Sequence, residues 1–272
     1  MVRSLWTAAT GMIAQQTNVD TIANNLANVN TVGYKTKVNE FKSLLYQNLQ
    51  TKTTSSDGTR KPSSAQVGLG VRNASVDAIF KQGAPQATES DTAFAIDGEG
   101  FFAVRGADGE NKFTRNGNFV WAIATNNRMA LTSSDGLPVL DSTGRQIVLP
   151  RNIIASRITV TSDGTLCYPD ENNNPQPIGV QIGVFQFNNP SGLDKEGDSL
   201  YTITESSGPA LNEATNANVT PSKVLQGYLE ASNVQVVDEM VNLIVAQRAY
   251  EMNSKAITAS DEMLQQANSL RR

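Results

Sequence analysis

Histidine is absent from the 272-residue sequence, and Cys167 is its single cysteine. Without histidine the chain cannot form Ser-His-Asp or Cys-His catalytic arrangements, or most catalytic zinc sites. One cysteine excludes an intramolecular disulfide framework and a zinc site built on several cysteines. In a strand-like run, Cys167 is expected to be a small buried apolar residue. We therefore expect no metal and no cofactor.

Charge is nearly balanced, and long apolar runs are missing. The chain has 22 lysines and arginines against 26 aspartates and glutamates, a formal net charge of −4. A nucleic-acid-binding protein would usually show a basic cluster, and none occurs. No stretch reaches the roughly 18 apolar residues of a membrane-spanning helix. We expect neither a nucleic-acid partner nor a spanning segment.

The end of the chain, residues 232–270, has the pattern of one long helix. Ser232 and Gln235 have the form of a capping box. At 1.5 Å per residue this helix would be about 55 Å long, more than a compact domain can bury with its own chain. Two apolar stripes, which predict partner helices on more than one side, run through Val236, Leu243, Tyr250, Ile257 and Leu264, and through Val245, Ala249, Met252, Ala256, Ala259 and Met263.

The first thirty residues show the same seven-residue spacing, at Leu5, Met12, Val19 and Leu26. Ser4 is a plausible N-cap, and the position of Gly33 predicts a left-handed helix end. Two alternatives remain open. Residues 3–14 could be a weak secretory signal. The two terminal helices could also pack as a hairpin inside a monomer, which explains one stripe on each helix and leaves the second unexplained.

The middle of the chain predicts β structure. Aspartate-glycine and asparagine-glycine pairs, typical of turns, separate short runs rich in β-branched and aromatic residues. These runs are 101–104, 119–121, 147–149, 158–160, 180–187 and 200–203. The predicted fold class is α+β, with long N- and C-terminal coiled-coil-like helices flanking a mostly antiparallel β domain and an extended connector. The predicted segments are 1–34 (N-terminal helix), 35–81 (extended connector), 82–225 (β-rich domain) and 226–272 (C-terminal helix).

Closely spaced carboxylates occur at 97 and 99, at 170 and 171, and at 238 and 239. Glycoside hydrolysis needs a carboxylate pair. Asp170 and Glu171 are adjacent, and adjacent strand positions point to opposite faces, whereas Asp97 and Glu99 flank Gly98 in a predicted turn. The third pair lies in the first turns of a predicted helix, where carboxylates favour the helix dipole. We expect no enzymatic activity.

Three motifs carry a family resemblance. Residues 23–35 read Ala-Asn-Asn-Leu-Ala-Asn, then Val-Asn-Thr-Val-Gly-Tyr-Lys. Residues 97–104 and 113–119 contain Gly-Phe-Phe and Phe-Thr-Arg-Asn-Gly, and residues 226–234 and 247–251 contain Leu-Glu-Ala-Ser-Asn-Val and Gln-Arg-Ala-Tyr-Glu. In this order they resemble the rod and hook family of axial proteins of the bacterial flagellum. The length and the opening Ser4-Leu5-Trp6 are most similar to its distal-rod members.

The resemblance implies a structural subunit of the distal rod that self-assembles into a hollow helical tube, transmits torque and passes exported subunits. It implies copies of the chain, proximal-rod proteins, the hook protein, surrounding ring proteins and the export apparatus as partners, in the basal body across the periplasm. A proximal-rod or hook-type paralogue and a secreted β-domain adhesin are the alternatives.

The predicted site is a subunit interface on the terminal helices, and asparagine amides within it are expected to bond neighbouring chains. Its residues are Leu5, Met12, Val19, Asn24, Asn25, Leu26, Asn28, Val236, Met240, Leu243, Ile244, Tyr250, Ile257 and Leu264. Residues 51–65 are polar and read as an exposed connector. The resemblance implies that this stretch stiffens the rod. Within it, Lys52, Arg60 and Lys61 are the predicted charged anchors, and Pro62 is expected to limit the unfolded ensemble that docking must order.

Overall fold

The structure, a computed structural model, describes residues 2–50, 65–124, 128–150, 153–170, 174–216 and 219–270. Over these residues the chain divides into two compact units. The helical unit contains the described parts of 1–27, 37–78 and 235–272, and the β unit contains 28–36 and 79–234.

The helical unit consists of two long helices and four strands. Helix α1 is Val2–Ala27 and helix α2 is Val236–Ser269. The strands are β1 (Lys37–Ser43), β2 (Tyr46–Gln50), β3 (Ala65–Gly68) and β4 (Val71–Ala78). Strand β1 pairs antiparallel with β4, and β2 pairs antiparallel with β3. Side chains of β1 hold it on α1, since Asn39 Nδ2 donates to Thr17 O at 2.9 Å and to Thr21 Oγ1 at 2.8 Å.

The helix ends differ from the predicted caps. Ser4 lies inside α1, which has already begun at Val2, so it is not the N-cap. The capping box at Ser232 is also wrong, because α2 begins at Val236 with Gln235 as its N-cap and no side-chain capping bond. Gly33 does have a left-handed φ of 68°, but it lies beyond the end of α1 at Ala27. Residues 226–235 are not helical, because part of this stretch pairs in β-strands.

The β unit is built from short antiparallel strands. The strands are β5 (Pro85–Ala87), β6 (Phe94–Asp97), β7 (Phe101–Arg105), β8 (Asn111–Thr114), β9 (Phe119–Ala124), β10 (Arg128–Ser133), β11 (Thr159–Val160), β12 (Thr165–Pro169), β13 (Pro175–Gln181), β14 (Val184–Gln186), β15 (Asp194–Lys195), β16 (Leu200–Thr202), β17 (Leu211–Asn212), β18 (Lys223–Gln226) and β19 (Tyr228–Glu230). Six of them form one sheet in the order β15-β16-β8-β7-β14-β17. The others form the ladders β10-β9, β11-β12-β13, β18-β6 and β19-β5.

Strand β7 explains why the centre of this unit is so apolar. Successive side chains of a strand point to opposite faces, and both faces of β7 are covered. Phe102 and Val104 belong to one hydrophobic cluster, whereas Phe101 and Ala103 belong to a second. All four are at most 1% exposed. A strand buried on both sides therefore appears in sequence as a continuous apolar run.

The described chain thus has an N-terminal and a C-terminal helix flanking a mostly antiparallel β domain. The predicted runs at 101–104 and 119–121 are strands. The run at 147–149 is not a strand, although Ile147 and Leu149 are buried in the first cluster. Within the described residues, no helix combines the length and hydropathy that crossing a membrane requires.

Candidate subunit interface

The two helices of the helical unit contact each other in a regular antiparallel register. The hydroxyl oxygens of Ser4 and Ser260 lie 3.3 Å apart. A Cβ atom on Gly11 would lie 2.9 Å from Asn253 Nδ2, so the glycine permits a close approach. Asn25 Nδ2 donates to Glu239 Oε2 at 3.3 Å. These positions advance along α1 by multiples of seven as they recede along α2.

We call this line of closest contact the seam. The same register puts Asn18 opposite Ala246, which is 1% exposed. The members of the seam are small or polar rather than large and apolar. They are Ser4, Gly11, Asn18 and Asn25 on α1, and Glu239, Ala246, Asn253 and Ser260 on α2.

The predicted seven-residue stripes lie beside the seam. Leu243, Ile257 and Leu264 of α2 are half-buried, as are Leu5, Met12, Val19 and Leu26 of α1. Val236 and Tyr250 of the same predicted stripe are exposed. The hairpin contact therefore covers much of the first stripe of each helix, with small residues where the backbones approach most closely.

Five of the six residues of the second predicted stripe of α2 lie on the surface, whereas Ala249 is half-buried. Val245 is 62% exposed and Met252 is 65% exposed, and Met263 is also exposed. The outer face of α1 is similar, with Trp6 and Ile13 seven residues apart on one side of the helix. Large apolar side chains grouped on one face of a helix are a mark of interaction surfaces. We call this set the outer stripe: Trp6, Ile13, Val237, Val241, Val245, Met252, Ala256, Ala259 and Met263.

A groove of about 390 Å³ runs between the helices at one side of the hairpin. It is lined by Gln16 and Val19 of α1 and by Gln247, Tyr250 and Glu251 of α2. Apolar walls beneath polar rims can accept an apolar side chain of another chain. Val19 and Tyr250 were both predicted interface residues, and the groove brings them together.

The asparagines of the first motif have different environments. Asn25 is 1% exposed, and its amide pairs with both backbone groups of Lys37: Nδ2 donates to Lys37 O at 2.8 Å, and Oδ1 accepts from Lys37 N at 2.9 Å. Its amide therefore joins α1, β1 and α2 within one chain. Asn24 is exposed, and Asn28 Oδ1 accepts from Thr31 Oγ1 at 3.1 Å.

The β unit contains a buried ionic cluster. Lys35 Nζ lies 2.6 Å from Glu230 Oε1, and Arg115 Nη1 lies 3.2 Å from Glu230 Oε2. All three side chains are at most 2% exposed. The backbone N–H of Gly83 also donates to Glu230 Oε1, at 2.9 Å. One carboxylate thus accepts from two cations and a backbone amide.

The surroundings of this ionic cluster fix its geometry. Arg115 Nη2 donates to Gly98 O at 2.7 Å, and the guanidinium carbon lies 5.1 Å from the centroid of the Phe101 ring. Arg115 therefore braces the turn at Gly98. A Cβ on Gly33 would lie 2.7 Å from the Arg115 carbonyl carbon, so only glycine fits there.

Burial shifts the pKa of two groups in this region. Desolvation, helped by the nearby charge of Arg115, lowers the pKa of Lys35, although Glu230 acts against that shift. Desolvation is also the main reason why the pKa of the Tyr201 phenol is raised well above its usual value. The buried charges of the ionic cluster therefore hold the packed segments of the β unit in position.

The ionic cluster joins one residue from each of the three sequence motifs: Lys35, Arg115 and Glu230. The pairing of Lys35 with Glu230, which are 195 residues apart, is not predicted by the local sequence pattern. Periodicity carries no signal for such a distant pair. The one signal in the sequence that could have suggested it is that each of the three motifs contains a charged residue.

The predicted acidic pairs do not form a shared site in the described residues. Asp97 and Glu99 are exposed, and Asp238 is exposed while Glu239 is buried in the seam. Residue 171, a member of the remaining pair, lies outside the described residues. In that part of the chain, no group of three or more histidine, cysteine, aspartate or glutamate residues could hold a metal ion. The connector residues Lys52, Arg60, Lys61 and Pro62 also lie outside the described residues.

Three family models match the chain in the order of its motifs. They are described as flagella basal body rod protein (residues 5–35), flagellar hook protein FlgE/F/G D1 domain (95–168) and flagellar basal body rod FlgEFG protein C-terminal (225–270). The first and third cover most of α1 and α2, and the second covers β7 to β11.

Curated relatives match over their full length. The flagellar basal-body rod protein FlgG of Borreliella burgdorferi is 42% identical and covers 100% of both chains. FlgG of Caulobacter vibrioides is 42% identical over 99% of this chain and 100% of its own. FlgG of Bacillus subtilis is 38% identical over 100% of both.

Proposed function

The chain belongs to the family of flagellar basal-body rod proteins, and we propose on that basis that it is a structural subunit of the distal rod. It assembles with copies of itself into a hollow helical tube that transmits torque and passes exported subunits. Its role is mechanical, without chemistry of its own. Full-length similarity to FlgG proteins at about 40% identity supports the distal rod over other positions in the axis.

The outer stripe is the observation that carries self-assembly. The hairpin covers much of the first stripe of each helix and leaves Val245, Met252 and Met263 on the surface. Burying one such side chain between subunits stabilises the contact by roughly 1.5–3 kcal/mol. Helices repeated along a tube give every copy the same neighbours, so a modest gain per contact is summed along the polymer.

The predicted segments take their roles from this assembly. Within the predicted segments 1–34 and 226–272, the helices α1 and α2 form the inner tube through coiled-coil-like contacts, residues 82–225 face outward, and residues 35–81 connect them. Among the predicted interface residues, Asn24, Val236, Met240, Ile244 and Tyr250 are exposed and contact neighbouring copies directly. The half-buried members act by shaping the hairpin, and Asn25 acts within its own chain.

The remaining partners follow from a position in the middle of the axis. The tube joins proximal-rod proteins at one end and the hook protein at the other, inside surrounding ring proteins. Subunits reach it through the export apparatus, and the rod crosses the periplasm. Residues 51–65 stiffen the tube by lying across adjacent subunits, with Lys52, Arg60 and Lys61 as charged anchors.

A pair of aspartate substitutions on α2 tests the proposal. Met252→Asp puts a carboxylate on the outer stripe, where burial between subunits would cost several kcal/mol. Thr258 is exposed on another side of the same helix, so Thr258→Asp is the matched control. We expect Met252→Asp to abolish polymers in sedimentation and micrographs while circular dichroism stays unchanged, and Thr258→Asp to assemble normally. Wild-type assembly of Met252→Asp would overturn the proposal.

A further inference from the structure

The apolar stripes of the helices do not by themselves define how α1 aligns with α2. Leu5, Met12, Val19 and Leu26 repeat every seven residues, and so do Leu243, Ile257 and Leu264 of the partner helix. Sliding one helix by seven residues, about 10 Å at 1.5 Å per residue, would again place large apolar residues opposite one another. Taken alone, an apolar repeat of this kind discriminates poorly between neighbouring registers.

The seam, in contrast, differs at every layer. Gly11 leaves a gap that Asn253 fills, because a Cβ on Gly11 would lie 2.9 Å from Asn253 Nδ2. A slip of seven residues in one direction sets Gly11 opposite Ala246, and in the other direction opposite Ser260. Either slip takes Asn253 out of the gap.

The layer at Asn25 and Glu239 adds a second constraint. Glu239 is buried beside Asn25, whose amide is already fixed by Lys37 N–H and C=O. Because β1 holds this amide in place, its remaining N–H direction is set, and the Glu239 carboxylate must come to it. A slip would leave Asn25 opposite Ala246 or beyond the start of α2.

We propose that the seam is the device that determines the register of the hairpin, and that Asn25, Glu239, Gly11 and Asn253 are its specificity-determining residues. Polar layers in helix packing specify alignment at some expense of stability. A slip of one repeat would move the outer stripe of α2 by about 10 Å along α1. The seam therefore makes every copy of the chain present the same outer surface. This role is separate from how strongly that surface binds other copies.

Electron–electron distance measurements between two spin labels test this directly. Asp20 and Lys255 are exposed and lie at different levels of the hairpin, so a slip changes their separation strongly. Both become cysteines in a Cys167→Ala background, and the dilute, unassembled full-length chain is measured. The wild-type seam should give one narrow distance distribution.

The key variant is Glu239→Ala with Asn253→Ala, which leaves Asn25 bonded to Lys37 and favours helix. We expect a second distance population, displaced on the scale of the slip. Glu239→Gln retains an oxygen acceptor and should keep the single distance. Met12→Ala with Ile257→Ala, beside the seam, should lower thermal stability and keep the single distance.

A single wild-type distance in the helical Glu239→Ala, Asn253→Ala variant would overturn the proposal. Should that variant lose its helical signal, Asn253→Ala alone is judged by the same criterion. Because the labels report within one unassembled chain, this result is independent of whether the protein polymerises.

Discussion

At the scale of single residues, Glu230 holds the β unit together at the point where its first and last segments meet. Its carboxylate pairs with both Lys35 and Arg115 and accepts from Gly83 N–H, all in a region closed to solvent. Burying an ion pair gains little by itself, but breaking one leaves an uncompensated buried charge. Each member of the ionic cluster can therefore be replaced only at a cost in stability, because its partners would stay buried without it.

Glu230→Ala should destabilise the β unit by about 3–5 kcal/mol, since two buried cations lose their partner. Chemical denaturation followed by the fluorescence of Trp121 in β9 measures this. Glu89 is exposed, so Glu89→Ala should stay within about 0.5 kcal/mol of wild type. Equal midpoints for the two variants would contradict this role of Glu230.

The raised pKa of Tyr201 predicts that the stability of the fold decreases at alkaline pH. Its folded-state pKa is raised above the unfolded value of 10.0. Above pH 10 the unfolded chain therefore loses the phenol proton while the folded chain keeps it, so the tyrosine's contribution to stability falls as pH rises. Each pH unit removes at most about 1.4 kcal/mol.

Tyr201→Phe should remove this part of the pH dependence. We expect the melting temperature of the variant, relative to wild type, to be higher at pH 11 than at pH 8. A difference in melting temperature that does not change with pH would show that the phenol titrates alike in both states.

At the scale of elements, the hairpin and its outer stripe respond differently to the same kind of substitution. Leu243 and Ile257 are half-buried beside the seam. Ile257→Asp should weaken the hairpin itself and block assembly, because a buried carboxylate without a partner costs several kcal/mol. The β unit should melt as in wild type, since it is a separate compact unit.

Far-ultraviolet circular dichroism and calorimetry separate these effects. Ile257→Asp should lose helical signal and keep the β-unit transition, unlike Met252→Asp, which should keep both. Normal polymers from Ile257→Asp would show that the hairpin is not needed for assembly.

The elements differ in how far the sequence predicts them. Helix periodicity finds α1 and α2 because each covers many turns, and the run 101–104 is a strand because both its faces are apolar. The cap at Ser4 was wrong because α1 has already begun at Val2. The cap at Ser232 was wrong because tertiary pairing decides the boundary: β19 (Tyr228–Glu230) pairs with β5 rather than joining α2. The Lys35–Glu230 contact depends on chain topology, which local pattern cannot supply.

The packing of the helix pair was predictable only in part. Seven-residue spacing found Leu243 and Ile257, which are half-buried in the hairpin, but it did not separate residues that face α1 from those that face outward. Asn25 shows the same limit, because its amide was expected to bond a neighbouring chain and instead bonds Lys37 and Glu239. A seven-residue repeat of small and polar residues, Ser4, Gly11, Asn18 and Asn25, was the signal that could have located the seam.

At the scale of the whole molecule, residues 51–65 should govern rod stiffness. A polar segment that docks across adjacent subunits through main-chain contacts resists their sliding, and Pro62 limits the unfolded ensemble that docking must order. We expect deletion of 51–65 to leave polymerisation intact and to give shorter persistence length in micrographs.

Substitution of Lys52, Arg60 and Lys61 by alanine separates anchoring from length. This variant should bend more than wild type and less than the deletion. Unchanged straightness and length in the deleted rods would show that the segment has no mechanical role.

The central claim is that this chain builds a hollow rod from its terminal helices, and electron microscopy of the purified protein tests it most directly. The account predicts straight polymers with a central channel lined by α1 and α2, present for Thr258→Asp and absent for Met252→Asp. A protein that stays monomeric at high concentration, or polymers whose channel is lined by the β unit, would contradict it.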